Sequence, residues 1–401
     1  MTTPSQLVPQ QPPTWLQRII DAPHPERAAK SLWASKPVTP VIGTRRDHRD
    51  RPHAEVTFVY QEPRTDVDVL IHLNGITDAH REDVRPALLQ HVPGSDLWHG
   101  TYLLPSDGTW GYRFVAQPEI RHDVGRTREG WLQVHRAGQV DPHNPRRQPH
   151  ALGTSSSVLV MPQAYQHPCW SDVPQQERPD ATWQFTDPDG QPRTVHYSRI
   201  GSAPCRVLVC FDGERWADLG LAAALRRAGL DLELILIDSH GAQRRAEDLP
   251  RPERAARLLQ AALERRAHVG GDPIGPEQVV VAGQSFGGLA AAGCVLLRPD
   301  LAREAIVQSG SFWYVSGREA RRDNPLPGEL TSRVSSGELD PAAAVFHLQA
   351  GTDEGTMVDQ AQHFHHACTA AGAQSELNVV TGGHDYAWWK HHLVRALTPQ
   401  R

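Results

Sequence analysis

A serine between two glycines is the feature of this sequence with the clearest chemical meaning. Gly283-Gln284-Ser285-Phe286-Gly287 directly follows the apolar run QVVVA and directly precedes the helical run GLAAAGCVLL. A GxSxG motif between a strand and a helix is typical of a nucleophile elbow, a sharp turn that exposes the serine hydroxyl above a sheet. The N-terminus of the following helix then points at the oxyanion that forms during acyl transfer. The motif therefore predicts Ser285 as a nucleophile; the alternative is a serine in an ordinary tight turn.

A histidine and two carboxylates further along the chain could complete a catalytic triad. His384 follows two glycines and the last strand-like run, SELNVVT. This agrees with the chain order of α/β-hydrolases, which is nucleophile, acid and then histidine. Glu354, with Asp353 as the fallback, follows the run AVFHLQAG at the spacing expected for the acid that orients the imidazole. A Ser-His dyad without a strong acid stays open as an alternative.

Two backbone amides and several arginines could stabilise negative charge at such a site. The amide after the nucleophile, that of Phe286, is one expected oxyanion donor, and Gly213 after the run CRVLVCF is the second. Arg215, Arg244 and Arg245 follow two predicted strand ends, on the side of an α/β sheet where ligands bind. For each arginine the alternative is a solvated surface position.

A cluster of metal-ligand types lies in one predicted helix. His363, His365, His366 and Cys368 are close in sequence, but only some of them share a helix face. We therefore predict no metal site in the protein, there or elsewhere, and no cofactor.

The composition limits the function classes. The 401 residues are 39% hydrophobic and 22% charged, which indicates a globular protein. The net charge of -5 gives no sign of the excess of basic residues that binding of nucleic acid requires. The start of the chain lacks a targeting pattern, and its apolar runs are too short to span a bilayer. Five cysteines without a CxxC pattern favour neither a disulfide framework nor a zinc ribbon. We expect a cytoplasmic protein that binds neither nucleic acid nor membrane.

The elements that would position these residues fall into two groups. Short alternating runs such as AEVTFVYQ and GYRFVAQ predict an N-terminal antiparallel β-sandwich domain, residues 1–150. A Pro-rich connector, 151–177, leads to residues 178–401. There a hairpin is followed by apolar strands that alternate with helices, which predicts an α/β-hydrolase catalytic domain with a mainly parallel sheet.

Several long blocks of the sequence resemble the enterochelin (enterobactin) esterase family. FDGERWADLG, VVVAGQSFGGLAA, LQAGTDEG and GGHDYAWW are similar to its catalytic blocks, while LNGITD and LWHGTYLLPSDGTWGYRF are similar to its N-terminal domain. The resemblance runs from about Trp98 to the C-terminus and is less clear before that. This sequence differs from the family around Arg244 to Asp248.

The resemblance implies a cytoplasmic serine esterase that hydrolyses the serine ester (trilactone) bonds of a ferric catecholate siderophore and so releases iron. Ser285 would be the nucleophile, His384 the base and Glu354 the family's acid, with Arg245 as a contact to the anionic substrate. Iron would arrive only as part of the substrate. The alternatives are a carboxylesterase acting on another acyl ester or thioester, and a non-catalytic siderophore- or carbohydrate-binding protein.

Overall fold

The chain forms two units, each with its own sheets and its own apolar core. The computed structural model describes residues 4–48, 51–149, 154–171, 173, 179–187, 189–318 and 327–398. The first unit comprises Met1–Tyr165 and Thr381–Trp388, and the second comprises Gln166–Val380 and Trp389–Arg401. Residues 151–153, 172 and 174–177 of the predicted connector lie outside the described ranges.

The first unit contains two antiparallel four-stranded sheets. Their strands are β1 (Val41–His48), β2 (Arg51–Gln61), β3 (Asp68–Leu73), β4 (Gln90–His91), β5 (Leu97–Pro105), β6 (Thr109–Gln117), β7 (Arg147–Pro149) and β8 (Ser155–Val160). The strand orders are β1-β2-β5-β4 and β3-β6-β8-β7. The helices of this unit are α1 (Thr14–Ile20), α2 (Pro25–Ala34) and α3 (Arg128–Ala137). The predicted connector thus contributes a strand, β8, because its apolar run SVLV pairs with β6 and β7.

The two sheets of the first unit bury one shared core. Phe58 of β2 packs in the same apolar cluster as Ile71 of β3 and Phe114 of β6. Residues at alternate strand positions point to one face of a sheet, so the period-2 runs place their aromatic and β-branched side chains in this core. The predicted β-sandwich is confirmed.

The second unit is built on one eight-stranded sheet. Its strands are β9 (Ala181–Thr186), β10 (Pro192–Ile200), β11 (Val207–Phe211), β12 (Leu232–Ile237), β13 (Val279–Gln284), β14 (Glu304–Gln308), β15 (Val345–Gly351) and β16 (Gln374–Val380). The order is β16-β15-β14-β13-β11-β12-β10-β9. All neighbours are parallel except the β9–β10 hairpin and the β10–β12 pair.

Helices connect the parallel strands. They are α4 (Gly213–Leu219), α5 (Leu221–Arg227), α6 (Ala242–Asp248), α7 (Pro252–His268), α8 (Phe286–Leu297), α9 (Glu329–Ser335), α10 (Met357–Ala370) and α11 (Tyr386–Leu397), whose first turn groups with the first unit. Every residue of β11, β12 and β13 is buried, as expected for strands whose two faces are both covered. The predicted α/β-hydrolase class with a hairpin edge is confirmed.

Among the described residues, no helix combines the length and the apolar character that crossing a membrane requires.

Candidate active site

Ser285 occupies the strained turn that a nucleophile elbow requires. The serine lies between the end of β13 and the start of α8, with φ 58° and ψ -120°. L-residues rarely adopt this conformation, which costs about 1–3 kcal/mol and persists only where surrounding contacts fix it. Here the Ser285 amide donates to the Gln308 carbonyl at 3.0 Å, and the Ser311 amide donates to the Ser285 carbonyl at 3.0 Å. This conformation is rare for a residue other than glycine and agrees with the predicted elbow; the role of Ser285 as nucleophile stays a prediction.

Ser311 lies beside Ser285, the predicted nucleophile, and the sequence alone gave it no role. Its Oγ is 3.4 Å from the Oγ of Ser285, and its side chain is buried. Ser311 follows β14, the parallel neighbour of β13, so the two serines share the carboxyl edge of the sheet. In the sequence, Ser311 is marked only by its position three residues after a buried strand. That position indicates a place near Ser285 only when β14 is known to lie next to β13.

A buried row of glutamines underlies the elbow. Gln284 and Gln308 are the last residues of β13 and β14, and Gln349 of β15 is the register partner of Gln308. The Trp216 indole donates to Gln284 at 3.1 Å, Gln284 donates to Gln308 at 3.0 Å, and Gln308 donates to Gln349 at 2.6 Å. Since each amide both accepts and donates, the row satisfies its buried polar atoms and fixes the strands next to Ser285, the predicted nucleophile. We name it the glutamine row.

The glutamine row ends on the backbone of α11. Gln308 donates to the Trp389 carbonyl at 2.8 Å, and Gln349 donates to the His392 carbonyl at 3.1 Å. Burial lowers the pKa of His392 to about 4, so that imidazole is neutral at pH 7. These contacts hold α11 against the carboxyl ends of β14 and β15.

Glu354 is held by a hydrogen-bonded relay in the second unit. The Trp389 indole donates to Ser309 Oγ at 2.9 Å, and Ser309 Oγ donates to Glu354 Oε1 at 2.6 Å. Ser309 itself has φ 50°, another strained position at the end of β14. Asp353 and Glu354 are both buried. The relay fixes the Glu354 carboxylate, as expected of a triad acid; the role of Glu354, with Asp353 as the fallback, stays a prediction.

Gly213 is fixed by packing against a neighbouring strand. A Cβ at this position would lie 2.6 Å from the Leu236 carbonyl carbon of β12, so no larger residue fits there. Asp212, just before it, has φ 56° and caps α4. The absence of a side chain at Gly213 lets the backbone of this residue approach the backbone of β12 closely. The expected roles of the Gly213 and Phe286 amides as oxyanion donors stay predictions.

Arg245 is engaged in a bidentate ion pair. Its Nε and Nη2 donate to the two carboxylate oxygens of Asp212 at 2.6 and 2.7 Å, and its guanidinium lies 5.8 Å from the Phe286 ring centroid. The side chain is 28% exposed, while Asp212 is buried. Arg245 therefore supports the turn beside the elbow. A substrate contact by Arg245 stays a prediction.

The other two arginines lie in different surroundings. Arg244 donates to Asp187 at 2.9 Å and contributes to an ion-pair network with Asp189, Glu247 and Asp248. These ion pairs give Arg244 a structural role. Arg215 lies half-buried in the first turn of α4, and its predicted contact to substrate stays a prediction.

The His384 loop is fastened to the sheets of the first unit. Asn74 donates to the His384 carbonyl at 3.2 Å. Asp385 is buried and accepts from the Gly111 amide at 2.8 Å, from Gln148 Nε2, and from the Ala387 amide at 2.9 Å. The structure therefore places His384 in a fixed loop of the first unit, whereas Ser285 and Glu354 belong to the second. The role of His384 as general base stays a prediction.

The histidine and cysteine cluster of α10 is dispersed. His363 and His366 are exposed, and His365 is hydrogen-bonded through Nδ1 to Ser375 Oγ at 2.9 Å. Cys368 is buried, and burial raises the pKa of its thiol to about 12. Within the described ranges, metal-ligand spacing occurs instead in the first unit, at His72, Asp78 and His135.

Comparison with known proteins agrees with this architecture. Residues 55–170 match the family model "Enterochelin esterase, N-terminal", and residues 195–399 match the esterase family model. The iron(III) enterobactin esterase of Dickeya dadantii is 28% identical over 96% of this chain and 95% of that protein. The iron(III) salmochelin esterase of Escherichia coli O6:H1 is 28% identical over 89% of this chain and 88% of its own length.

A solved structure extends the likeness to both units. The enterobactin esterase of Shigella flexneri, crystallised in the presence of enterobactin, is 26% identical, with a TM-score of 0.78 and coverage of 92% of this chain and 97% of that one. The predicted family is thereby confirmed. With a strained elbow serine in an esterase domain and the family's N-terminal domain before it, the chain belongs to the enterochelin esterase family.

Proposed function

We propose that the chain is a serine esterase that hydrolyses the trilactone ester bonds of ferric enterobactin-type catecholate siderophores. The observation that carries the chemistry is the conformation of Ser285, since a strained serine at a strand-to-helix turn serves a nucleophile and has no purpose in a binding module. The substrate class is supported by the relatives, which match across both units.

The mechanism follows the usual course of acyl transfer. Ser285 Oγ attacks the ester carbonyl carbon while its proton passes to His384, and the Phe286 and Gly213 amides stabilise the tetrahedral oxyanion. Collapse expels the substrate serine alkoxide, which takes the proton from His384. Water, deprotonated by His384, then releases the acyl group and restores Ser285. Glu354, oriented by Ser309, stabilises the imidazolium.

No cofactor enters these steps, and iron is cargo bound to the substrate. Arg215 and Arg245 are the proposed contacts to the anionic catecholate, and a cytoplasmic location is proposed with the activity. Fractionation of cells that express the tagged chain would test the location.

The test is product formation from ferric enterobactin, followed by chromatography, with p-nitrophenyl acetate as a simple ester. Wild type should release dihydroxybenzoyl-serine units, and Ser285→Ala should abolish release on both substrates. Cleavage of the simple ester alone would keep the esterase and remove the siderophore assignment. If neither substrate is cleaved and a fluorophosphonate fails to label Ser285, the chain is a binding protein.

Ferric salmochelin is the second candidate substrate, because a salmochelin esterase is as similar in sequence as the enterobactin esterase described above. Comparing kcat/KM for the two ferric siderophores would decide between them.

A further inference from the structure

Two histidines and a carboxylate converge in the first unit, in a cluster that the ester-hydrolysis mechanism does not use. His72 lies on β3, Asp78 in the short helix Thr77–His80 that follows, and His135 on α3. The Nε2 atoms of His72 and His135 are each 3.7 Å from a different oxygen of Asp78. One ligand atom from each residue lies within 4.8 Å of the other two. We name this group the His-Asp-His cluster.

The buried nitrogen of His72 makes no hydrogen bond to any described residue. His72 is 3% exposed, and its Nε2 has no partner although it faces Asp78. A separation of 3.7 Å is too long for a hydrogen bond. Because a buried polar atom without a partner costs about 1–3 kcal/mol, such atoms are rare in folded proteins and call for an explanation.

Neighbouring groups hold the carboxylate in place. The Gly75 amide donates to Asp78 Oδ2 at 2.7 Å, and the Trp131 indole donates to Asp78 Oδ1 at 2.8 Å. Each oxygen keeps a second lone pair that these two donors do not occupy. Metal-binding carboxylates are commonly oriented by such hydrogen bonds from the surrounding shell.

We propose that His72, Asp78 and His135 form a binding site for a divalent transition metal of the zinc type. Two imidazole nitrogens and one carboxylate oxygen are ligands that zinc prefers, with water as the fourth. Bonds of about 2.0–2.1 Å place tetrahedral ligands roughly 3.3 Å apart, and one ligand atom from each of the three residues already lies within 4.8 Å of the other two. Asp78 and His135 are partly exposed, at 34% and 20%, which leaves a path for the ion.

The consequence of this site would be structural. The ion would connect α3 to β3 and to the helix that follows it. It would therefore stabilise the first unit against local opening and would leave the ester-hydrolysis steps unchanged. This inference is independent of the proposed substrate.

The test uses the full chain after removal of metals with a chelator, titrated with Zn²⁺ by calorimetry and with Co²⁺ by visible absorption. Wild type should bind one ion per chain and give the absorption of a histidine-ligated Co²⁺ site. His72→Gln and His135→Gln should each weaken Zn²⁺ binding by more than about 100-fold, since losing a ligand exceeds the 10–100-fold cost of losing a supporting group. Zn²⁺ should raise Tm in wild type and not in these variants.

The matched control is the double variant His365→Gln, His366→Gln on α10, which removes two histidines outside the cluster and should bind Zn²⁺ as wild type does. His135→Gln also separates loss of a ligand from misfolding, because this partly exposed helix position should leave esterase activity and circular dichroism intact. Absence of stoichiometric binding in wild type would overturn the proposal. Unchanged binding in both cluster variants, or binding lost only in the α10 variant, would overturn it as well.

Discussion

Asp385 follows the predicted general base directly, and replacing it by alanine should loosen the loop that holds the base. The Asp385 carboxylate accepts from the Gly111 amide and from Gln148, both on the sheets of the first unit. A Cβ at Gly111 would collide with this carboxylate, so the close approach depends on glycine. Each buried donor that loses a charged acceptor costs about 1.5–3 kcal/mol, so the two donors on the sheets alone give about 3–6 kcal/mol for Asp385→Ala.

The matched control is Asp340→Ala. Asp340 also accepts from the amide two residues ahead, that of Ala342, at 2.9 Å, but its side chain is exposed. We expect its loss to cost at most about 1 kcal/mol.

The assay is amide hydrogen exchange along β6 together with steady-state hydrolysis of p-nitrophenyl acetate. Local unfolding easier by about 3 kcal/mol lowers protection at Gly111 roughly 100-fold. A displacement of about 1 Å at the base lowers kcat by about 100-fold. If Asp385→Ala matches Asp340→Ala in both protection and kcat, the reasoning that this carboxylate anchors the loop is refuted.

Three further predictions test the second unit. Ser285→Gly and Ser285→Ala should both be inactive, but in urea unfolding the glycine variant should be more stable by about 1–2 kcal/mol. The reason is that glycine adopts φ 58° without strain. Equal stabilities would contradict the strained elbow. Gln308→Leu removes the hydrogen-bond partner of Gln284 Nε2, Gln349 Oε1 and the Trp389 carbonyl, and should lower the free energy of unfolding by about 3 kcal/mol or more. The control Gln243→Leu, on the exposed face of α6, should change it little in the same assay. Glu304 and Glu376 raise the pKa of His347 above its unfolded value, so its contribution to stability is full below about pH 6.5 and is lost as pH rises through the folded pKa. Urea midpoints of wild type and His347→Gln should therefore converge as pH rises from 5.5 to 9, and a constant difference would contradict this.

The sequence predicts features of the chain that depend on short-range patterns. Apolar runs of period 2 identified the sandwich strands, and continuous apolar runs identified the buried parallel strands such as LELILI of β12. Ser285 was identifiable because the elbow is a local motif, in which strand, turn and helix are contiguous.

Features that depend on register or on distant pairing could not be predicted. The glutamine row exists because Gln284, Gln308 and Gln349 are register partners on three adjacent strands, and no single segment of the sequence encodes the order β15-β14-β13. His72 and His135 are 63 residues apart, so no local spacing in the sequence indicates the His-Asp-His cluster. The histidines of α10 are close in sequence, but their side chains do not come together in a metal-binding arrangement. Local density of ligand types in a sequence is thus weaker evidence for a metal than convergence of elements in space.

Asp385 and Glu354 accept different kinds of hydrogen bond, and this difference separates the anchor of a loop from an oriented carboxylate. Asp385 accepts backbone and amide donors on the first unit, the kind of contact that fixes a loop. Glu354 accepts from a serine hydroxyl that itself receives an indole N–H, the kind of contact that orients a carboxylate. Glu354 therefore suits the acid of the triad, while Asp385 suits the support of the histidine loop. Since that support comes from β6 and from Gln148, the N-terminal sheets serve the predicted base directly.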